Sequence, residues 1–246
     1  MSLRDLLKQR EQARDSRAEG SFPEGVTRYV GMGHGREVDE EGRDLVILGE
    51  PNDWFAYFVH EDAEWTGTKS VHKFQKHTCL HNPQEGDDIR DFLTKGTLEQ
   101  CPTCASMTSG KQRRLYFIIP VYDPEYEDYR VIDTKEFHAV NLIKAYDSIE
   151  RTARKFQKDY TLVGQVVHFF KDDKTFSMEQ ADMDSEEEEK AIEGAKDFIG
   201  NVELWKETFK RERPELVEII RDSIPGSLDI SVVEGEPSTG EEEISH

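Results

Sequence analysis

The sequence predicts a mainly β protein with added helices, an α+β chain built on a compact sheet or barrel. Three observations carry this. Short apolar and aromatic segments of strand length recur through the first 180 residues. One segment between them has helical spacing. A strongly acidic stretch follows the last strand.

The strand candidates are Leu45 to Leu48, Trp54 to His60, Ser70 to Thr78, Leu115 to Tyr122 and Tyr129 to Asp133. After Asp133 the period changes: Phe137, Val140, Ile143, Tyr146 and Ile149 recur at three and four, with Thr134 placed to cap a helix. Thr161 to Phe170 and Thr175 to Glu179 read as a hairpin around the polar turn Lys171-Asp172-Asp173-Lys174, which would complete the barrel. The run from Asp182 to Lys190 marks a boundary. Polar helices follow it, broken by Gly200 and restarted with Pro214 in a first turn. Gly31-Met32-Gly33-His34-Gly35 lacks the Gly-Lys-Ser/Thr of a phosphate loop and reads as flexible backbone.

These patterns divide the chain into a basic, amphipathic arm (1–20), a core (21–180) with a metal-bearing part at about 70–110, an acidic helical segment (181–224) and a disordered acidic tail (225–246). At 246 residues, with 35% hydrophobic and 34% charged side chains, one core with loose ends is expected. No apolar run has the roughly 18 residues of a membrane span, and the first residues lack the apolar stretch of a signal peptide. A cytoplasmic location is expected. The net charge of −20 is unevenly spread: residues 1–175 carry 25 basic and 31 acidic side chains, whereas residues 176–246 carry 7 and 21. A near-balanced body can therefore present a basic face to a polyanion despite the total.

Three cysteines are an odd number, and Cys101-Pro102-Thr103-Cys104 has the spacing of a metal knuckle rather than of a disulfide framework. Zinc takes four soft or borderline ligands in a tetrahedron, and such a turn supplies two thiolates from one loop. Cys79 is the third thiolate. His72, His77 and His81 surround it, and His60 would arrive from the preceding strand. His77 is the expected fourth ligand because it stands two residues before Cys79 on a strand, on the same side. With no His-Glu-x-x-His, and no His-x-Glu paired with Pro-Cys-x-x-Cys, the zinc is expected to be structural.

Aromatic and basic residues interleave in the same region. Trp54, Phe55, Tyr57 and Phe58 share one expected strand, and Tyr116, Phe117 and Tyr122 another. Rings on a wet face would stack unpaired bases while cations track the backbone. Cations available for this are Lys69, Lys73, Lys76, Lys111, Arg113, Arg114, Arg151, Arg154, Lys155 and Lys158. From these, Trp54, Tyr57, Lys73, Lys111, Arg113, Arg114, Tyr116 and Arg154 form the expected nucleic-acid-binding set.

Thr78-Cys79, Cys101-Pro102-Thr103-Cys104, the basic-to-aromatic strand from Lys111 to Asp123 and the helix before the last strands together resemble phage single-stranded DNA-binding proteins of the T-even helix-destabilising type. The resemblance covers roughly residues 50–180. It implies an OB-like barrel with a zinc-binding subdomain, with Cys79, Cys101 and Cys104 as thiolate ligands. It also implies sequence-independent binding of single-stranded DNA in replication, recombination or repair. The same resemblance implies a basic N-terminal arm for self-association along DNA and an acidic C-terminal arm that recruits replication proteins. The segment between Cys79 and Cys101 is longer than that family's pattern, and the tail ends Glu241-Glu242-Glu243-Ile244-Ser245-His246 without a terminal aromatic.

Two other classes compete. A zinc-stabilised adaptor or regulator of replication or transcription would act through protein contacts, with every aromatic in the core. A metal-dependent hydrolase would use Asp123, Glu125, Glu127 and Asp128, which read instead as a solvated loop, so no enzymatic activity is expected.

Overall fold

The computed structural model describes residues 22–23, 26–62, 76–106, 111–208 and 210–223. The expected N-terminal helix, Lys73, most of the Ser70 to Thr78 segment and the tail from 225 lie outside the described residues. Seven strands belong to a single antiparallel sheet: β1 (Arg43–Ile47), β2 (Phe55–Asp62), β3 (His77–Thr78), β4 (Lys111–Asp123), β5 (Asp128–Lys135), β6 (Val166–Asp172) and β7 (Thr175–Gln180). The helices are α1 (Pro102–Ala105), α2 (Glu136–Ala153), α3 (Ser185–Ala195) and α4 (Arg213–Ser223). None is long and apolar enough to cross a membrane.

The chain divides into two compact units, residues 1–56 with 116–207 and residues 57–115 with 208–246. In the first, the strand order is β5-β4-β1-β6-β7. Sheet periodicity explains the continuous apolar run Leu45-Val46-Ile47-Leu48: alternate residues serve opposite faces, and both faces are covered. Leu45 and Ile47 join Ile119, Val121, Ile132, Val167 and Phe169 beneath Leu142 and Tyr146 of α2. Val46 and Leu48 join Tyr122 and Val166 beneath Ala191 and Ala195 of α3. The acidic run therefore starts a helix that packs on the sheet, with Glu186, Glu187 and Glu188 in its first turn, where carboxylates favour the helix dipole.

Several local expectations change. Thr134 is a buried strand residue paired with Phe117, and the helix starts one residue after the N-cap Lys135, which makes no side-chain cap. The buried stripe of α2 is Ala139, Leu142, Tyr146 and Glu150, whereas Phe137 and Val140 point outward. The hydrophobic spacing there located the helix but not its inner face, because alanine and a hydrogen-bonded glutamate occupy inner positions. Glu150 accepts from Tyr146 Oη at 3.1 Å and from the Leu162 amide at 2.9 Å. The glycine-rich segment is an ordered turn: Gly33 N–H donates to Val38 O at 2.8 Å, and Val38 N–H donates to Gly31 O at 2.9 Å.

Asp123 is also not a solvated loop residue. It is buried at the end of β4, where Arg130 Nη1 donates to it at 2.9 Å and Arg43 Nη2 at 2.8 Å. Arg130 itself is fully buried, donating further to Glu37 and to the carbonyls of Thr27 and Tyr29. This charge network ties residues 27–37 to the β4–β5 hairpin.

In the second unit β2 pairs with β3, placing His60 opposite His77. α4 begins with Arg213 and Pro214, as the proline predicts, and Arg213 donates from Nη1 to Glu99 O and from Nη2 to Leu98 O, both at 2.8 Å. The helical residues after the last strand thus serve both units: α3 belongs to the first and α4 to the second.

Candidate metal centre

The elements around the cysteines have local reasons to bring the thiols together. Cys101 caps α1, with Pro102 at the first helical position, where a missing N–H is harmless. The short helix then returns Cys104 beside Cys101. Cys79 directly follows β3, and its N–H donates to Phe58 O at 2.8 Å, extending the β2–β3 pairing by one bond. Gly96 brings its backbone N–H to Cys104, and a side chain there would stand 2.7 Å from His81 Cβ, so the loop can close only with glycine.

One donor atom from each of His60, Cys79, Cys101 and Cys104 lies within 4.8 Å of all the others, and all four residues are buried. His60 Nε2 is 3.5 Å from both Cys101 Sγ and Cys104 Sγ, and Cys79 Sγ is 3.5 Å from Cys104 Sγ. A tetrahedral zinc with Zn–S of about 2.3 Å and Zn–N of about 2.0 Å requires S···N edges of roughly 3.5 Å and S···S edges of roughly 3.8 Å. Three edges of the cluster, at 3.5 Å, are close to those lengths, and the others stay within 4.8 Å, a spacing compatible with zinc.

The thiols respond strongly to their crowding. Hydrogen bonds from Cys104, and then from Cys79, pull the Cys101 thiol far below its ordinary value against the opposing effect of burial. Cys79 is pushed up, first by Cys101, then by Cys104 and by burial. Cys104 is also pushed up, chiefly by Cys101. Sulfurs at this spacing oppose one another's ionisation, as the raised Cys79 and Cys104 show. A divalent cation removes the conflict, since a coordinating thiol is deprotonated outright.

Arg113 completes the surroundings. Its guanidinium lies 3.4 Å from the Phe58 ring centroid, its Nε donates to Cys79 Sγ at 3.4 Å, and its Nη2 donates to His81 O at 2.9 Å. Three thiolates around a divalent ion leave a net charge of −1, which this cation offsets.

The expected ligand His77 is not in the group. It is buried beside it, with Nε2 2.9 Å from Thr103 Oγ1. Cross-strand partners share a face of a sheet, so His60 and His77 point to the same side, and His60 stands nearer the sulfurs. His81 packs its ring on Phe92. The sequence signal for His60 was a histidine ending the apolar run Phe55-Ala56-Tyr57-Phe58-Val59, a position that a strand buries.

The aromatic members of the expected nucleic-acid set are buried. Trp54, Tyr57 and Tyr116 are buried at 5%, 4% and 3% exposure, and Trp54 Nε1 donates to Gly49 O at 3.2 Å. Rings so enclosed offer no face to a base. Arg113 faces the cysteines. Arg114 pairs with Glu61 at 2.5 Å, and Arg154 pairs with Glu150 at 2.6 Å. Lys111 opens β4, and Lys73 lies outside the described residues.

Comparison with family models, with curated proteins and with solved structures finds no match.

Proposed function

We propose that the chain is a sequence-independent single-stranded DNA-binding protein, serving DNA replication, recombination or repair, whose Zn²⁺ is held by His60, Cys79, Cys101 and Cys104 for structural purposes. The single observation that carries this is the closed metal cluster. Its donors are all buried, their number fills a tetrahedron, and three thiolates would leave the ion a weak Lewis acid with no open position for water or substrate. Such a site stabilises a binding module and does not perform hydrolysis. The acids of the β4–β5 turn are all engaged, Asp123 by Arg130 and Arg43, Glu125 by Arg43, Glu127 by Lys190 and Asp128 by Arg28.

The binding reading is supported by the resemblance in cysteine pattern, basic-to-aromatic strand and inserted helix set out above. It is supported also by exposed cations on the first unit, in a chain whose net negative charge lies mostly beyond residue 175. In this reading the sheet forms an OB-like barrel, the zinc part is a subdomain, and the protein works in the cytoplasm of a phage-infected cell. The acidic C-terminal stretch meets replication proteins, and the basic N-terminal stretch meets neighbouring copies on DNA.

The burial of Trp54, Tyr57 and Tyr116 favours a second reading, a zinc-stabilised adaptor acting through protein contacts. Filter binding of the zinc-loaded full chain to oligo(dT) and to duplex DNA at low and high salt separates the two. Single-strand binding that weakens with salt and exceeds duplex binding supports the first. Absence of any binding at low salt supports the adaptor.

A further inference from the structure

We propose that the C-terminal end of α2 carries a base-stacking subsite for single-stranded nucleic acid, built on Phe156 with Arg151, Lys155 and Lys158. It rests on the single-strand-binding reading and supplies the ring that the buried aromatics do not.

Phe156 is 90% exposed, against 62% for Phe137, 61% for Leu93 and 42% for Val140, the other large exposed apolar side chains among the described residues. Leaving such a ring in water forgoes the stabilisation of burial. The backbone beneath it is held by successive turns. Phe156 N–H donates to Ala153 O at 2.9 Å, Gln157 N–H to the same oxygen at 3.0 Å, and Tyr160 N–H to Gln157 O at 3.1 Å. The ring therefore projects from a hydrogen-bonded segment. Beside it runs a groove with Ile149 and Thr152 of α2 on one side and Tyr160 and Gln180 on the other.

Charge selects the occupant. Residues 150–159 contain four cations and two acids, Glu150 and Asp159. Arg154 is engaged, pairing with Glu150 and donating from Nε to Tyr160 O at 2.8 Å. Arg151, Lys155 and Lys158 are exposed and have no ion pair among the described residues. Three exposed cations in the same short segment as an exposed ring suit a ligand that is both anionic and flat. A single strand has that chemistry: each base offers a π-face to the ring, and its phosphates meet the cations. A duplex keeps its bases stacked internally and gains only the charge term. An acidic peptide would use the cations but has no planar group for Phe156.

The test is a fluorescence-anisotropy titration of labelled oligo(dT) with the zinc-loaded full chain and three variants: Phe156→Ala, Phe156→Trp and the double change Lys155→Glu, Lys158→Glu. Phe156→Ala is expected to weaken binding by about fivefold to a hundredfold. Phe156→Trp should retain affinity, and its added indole emission, measured against the parent chain, should be quenched by oligo(dT). The charge reversal should weaken binding and flatten the slope of log affinity against log salt by about one to two. All three side chains are exposed, so thermal unfolding should match the parent and separate lost binding from lost folding. If the parent binds and Phe156→Ala binds equally well, the subsite is refuted while the single-strand reading stands. If the parent does not bind oligo(dT), that reading fails and takes the subsite with it. Phe156-dependent binding of polyglutamate, without Phe156-dependent binding of oligo(dT), would assign the patch to an acidic peptide and also overturn the proposal.

Discussion

His60 and His77 face one another across the β2–β3 ladder with ring centroids 5.4 Å apart, and only His60 turns its Nε2 to the cysteine sulfurs. The neighbouring ring is engaged with Thr103. Two histidines in nearly the same place thus have different expected consequences. His60→Ala should lower zinc occupancy and unfold the loops that carry Cys79, Cys101 and Cys104. His77→Ala should keep about one zinc per chain. Metal content by mass spectrometry on the two purified variants checks this, and equal zinc loss from both would contradict it.

Arg113 should act on metal retention rather than as a surface cation. Loss of its N–H donor to Cys79 is expected to speed zinc transfer to a chromophoric chelator by about 10- to 100-fold in Arg113→Gln, the usual range for outer partners of metal ligands. Arg113→Lys keeps the charge but not the fork over Phe58 and should fall between the two. A release rate unchanged in Arg113→Gln would remove the residue from the centre.

The sequence made the cysteine set and the α+β organisation legible because both depend on local spacing: Cys-x-x-Cys, strand-length apolar runs and a helical period. What it concealed was relative placement. Trp54 and Tyr116 looked like stacking rings because composition cannot tell a ring on the wet face of a sheet from one in its core. Choosing His60 over His77 required knowing which member of a cross-strand pair lies nearer a loop about 40 residues away. Asp123 read as a loop acid because its partner, Arg130, looked like any strand cation until the hairpin register joined them.

The Arg130 network should dominate the stability of the first unit. Arg130→Met removes one of the two arginine partners of the buried Asp123 carboxylate, leaving Arg43, and is expected to cost at the low end of about 3–5 kcal/mol. Urea denaturation of parent and variant measures it, and a loss under about 1 kcal/mol would show that the network is dispensable.

The same network sets a pH dependence. Burial pushes the Glu37 carboxyl up, but the Arg130 hydrogen bond, the Gly31 amide and the charges of Arg130 and Arg43 outweigh it and hold the group below its usual 4.5. A depressed folded-state value means that Glu37 contributes stability above about pH 4.5, lost as pH falls through the lower value. Glu37→Gln should therefore be less stable than the parent at pH 7, with the gap narrowing on acidification below that range. A gap that widens at low pH would contradict the sign.

The packing of α3 can be tested at Gly194, where an added Cβ would stand 2.2 Å from Tyr122 Oη and 2.7 Å from Cζ. Gly194→Ala is expected to destabilise by about 1–3 kcal/mol despite alanine's better helix propensity. The exposed Glu187→Ala on the same helix should change stability by less than about 0.5 kcal/mol. Thermal unfolding of the two variants makes the comparison, and a stabilised Gly194→Ala would mean that α3 does not lie on Tyr122.

X-ray absorption at the zinc edge of the purified full chain tests most directly for a closed zinc centre of one histidine and three cysteines. The expected result is about one zinc per chain, with three sulfurs at about 2.3 Å and one nitrogen at about 2.0 Å, and with the nitrogen lost in His60→Ala and kept in His77→Ala. Zinc-free protein, or a bound zinc surrounded mainly by oxygen and nitrogen, would contradict it.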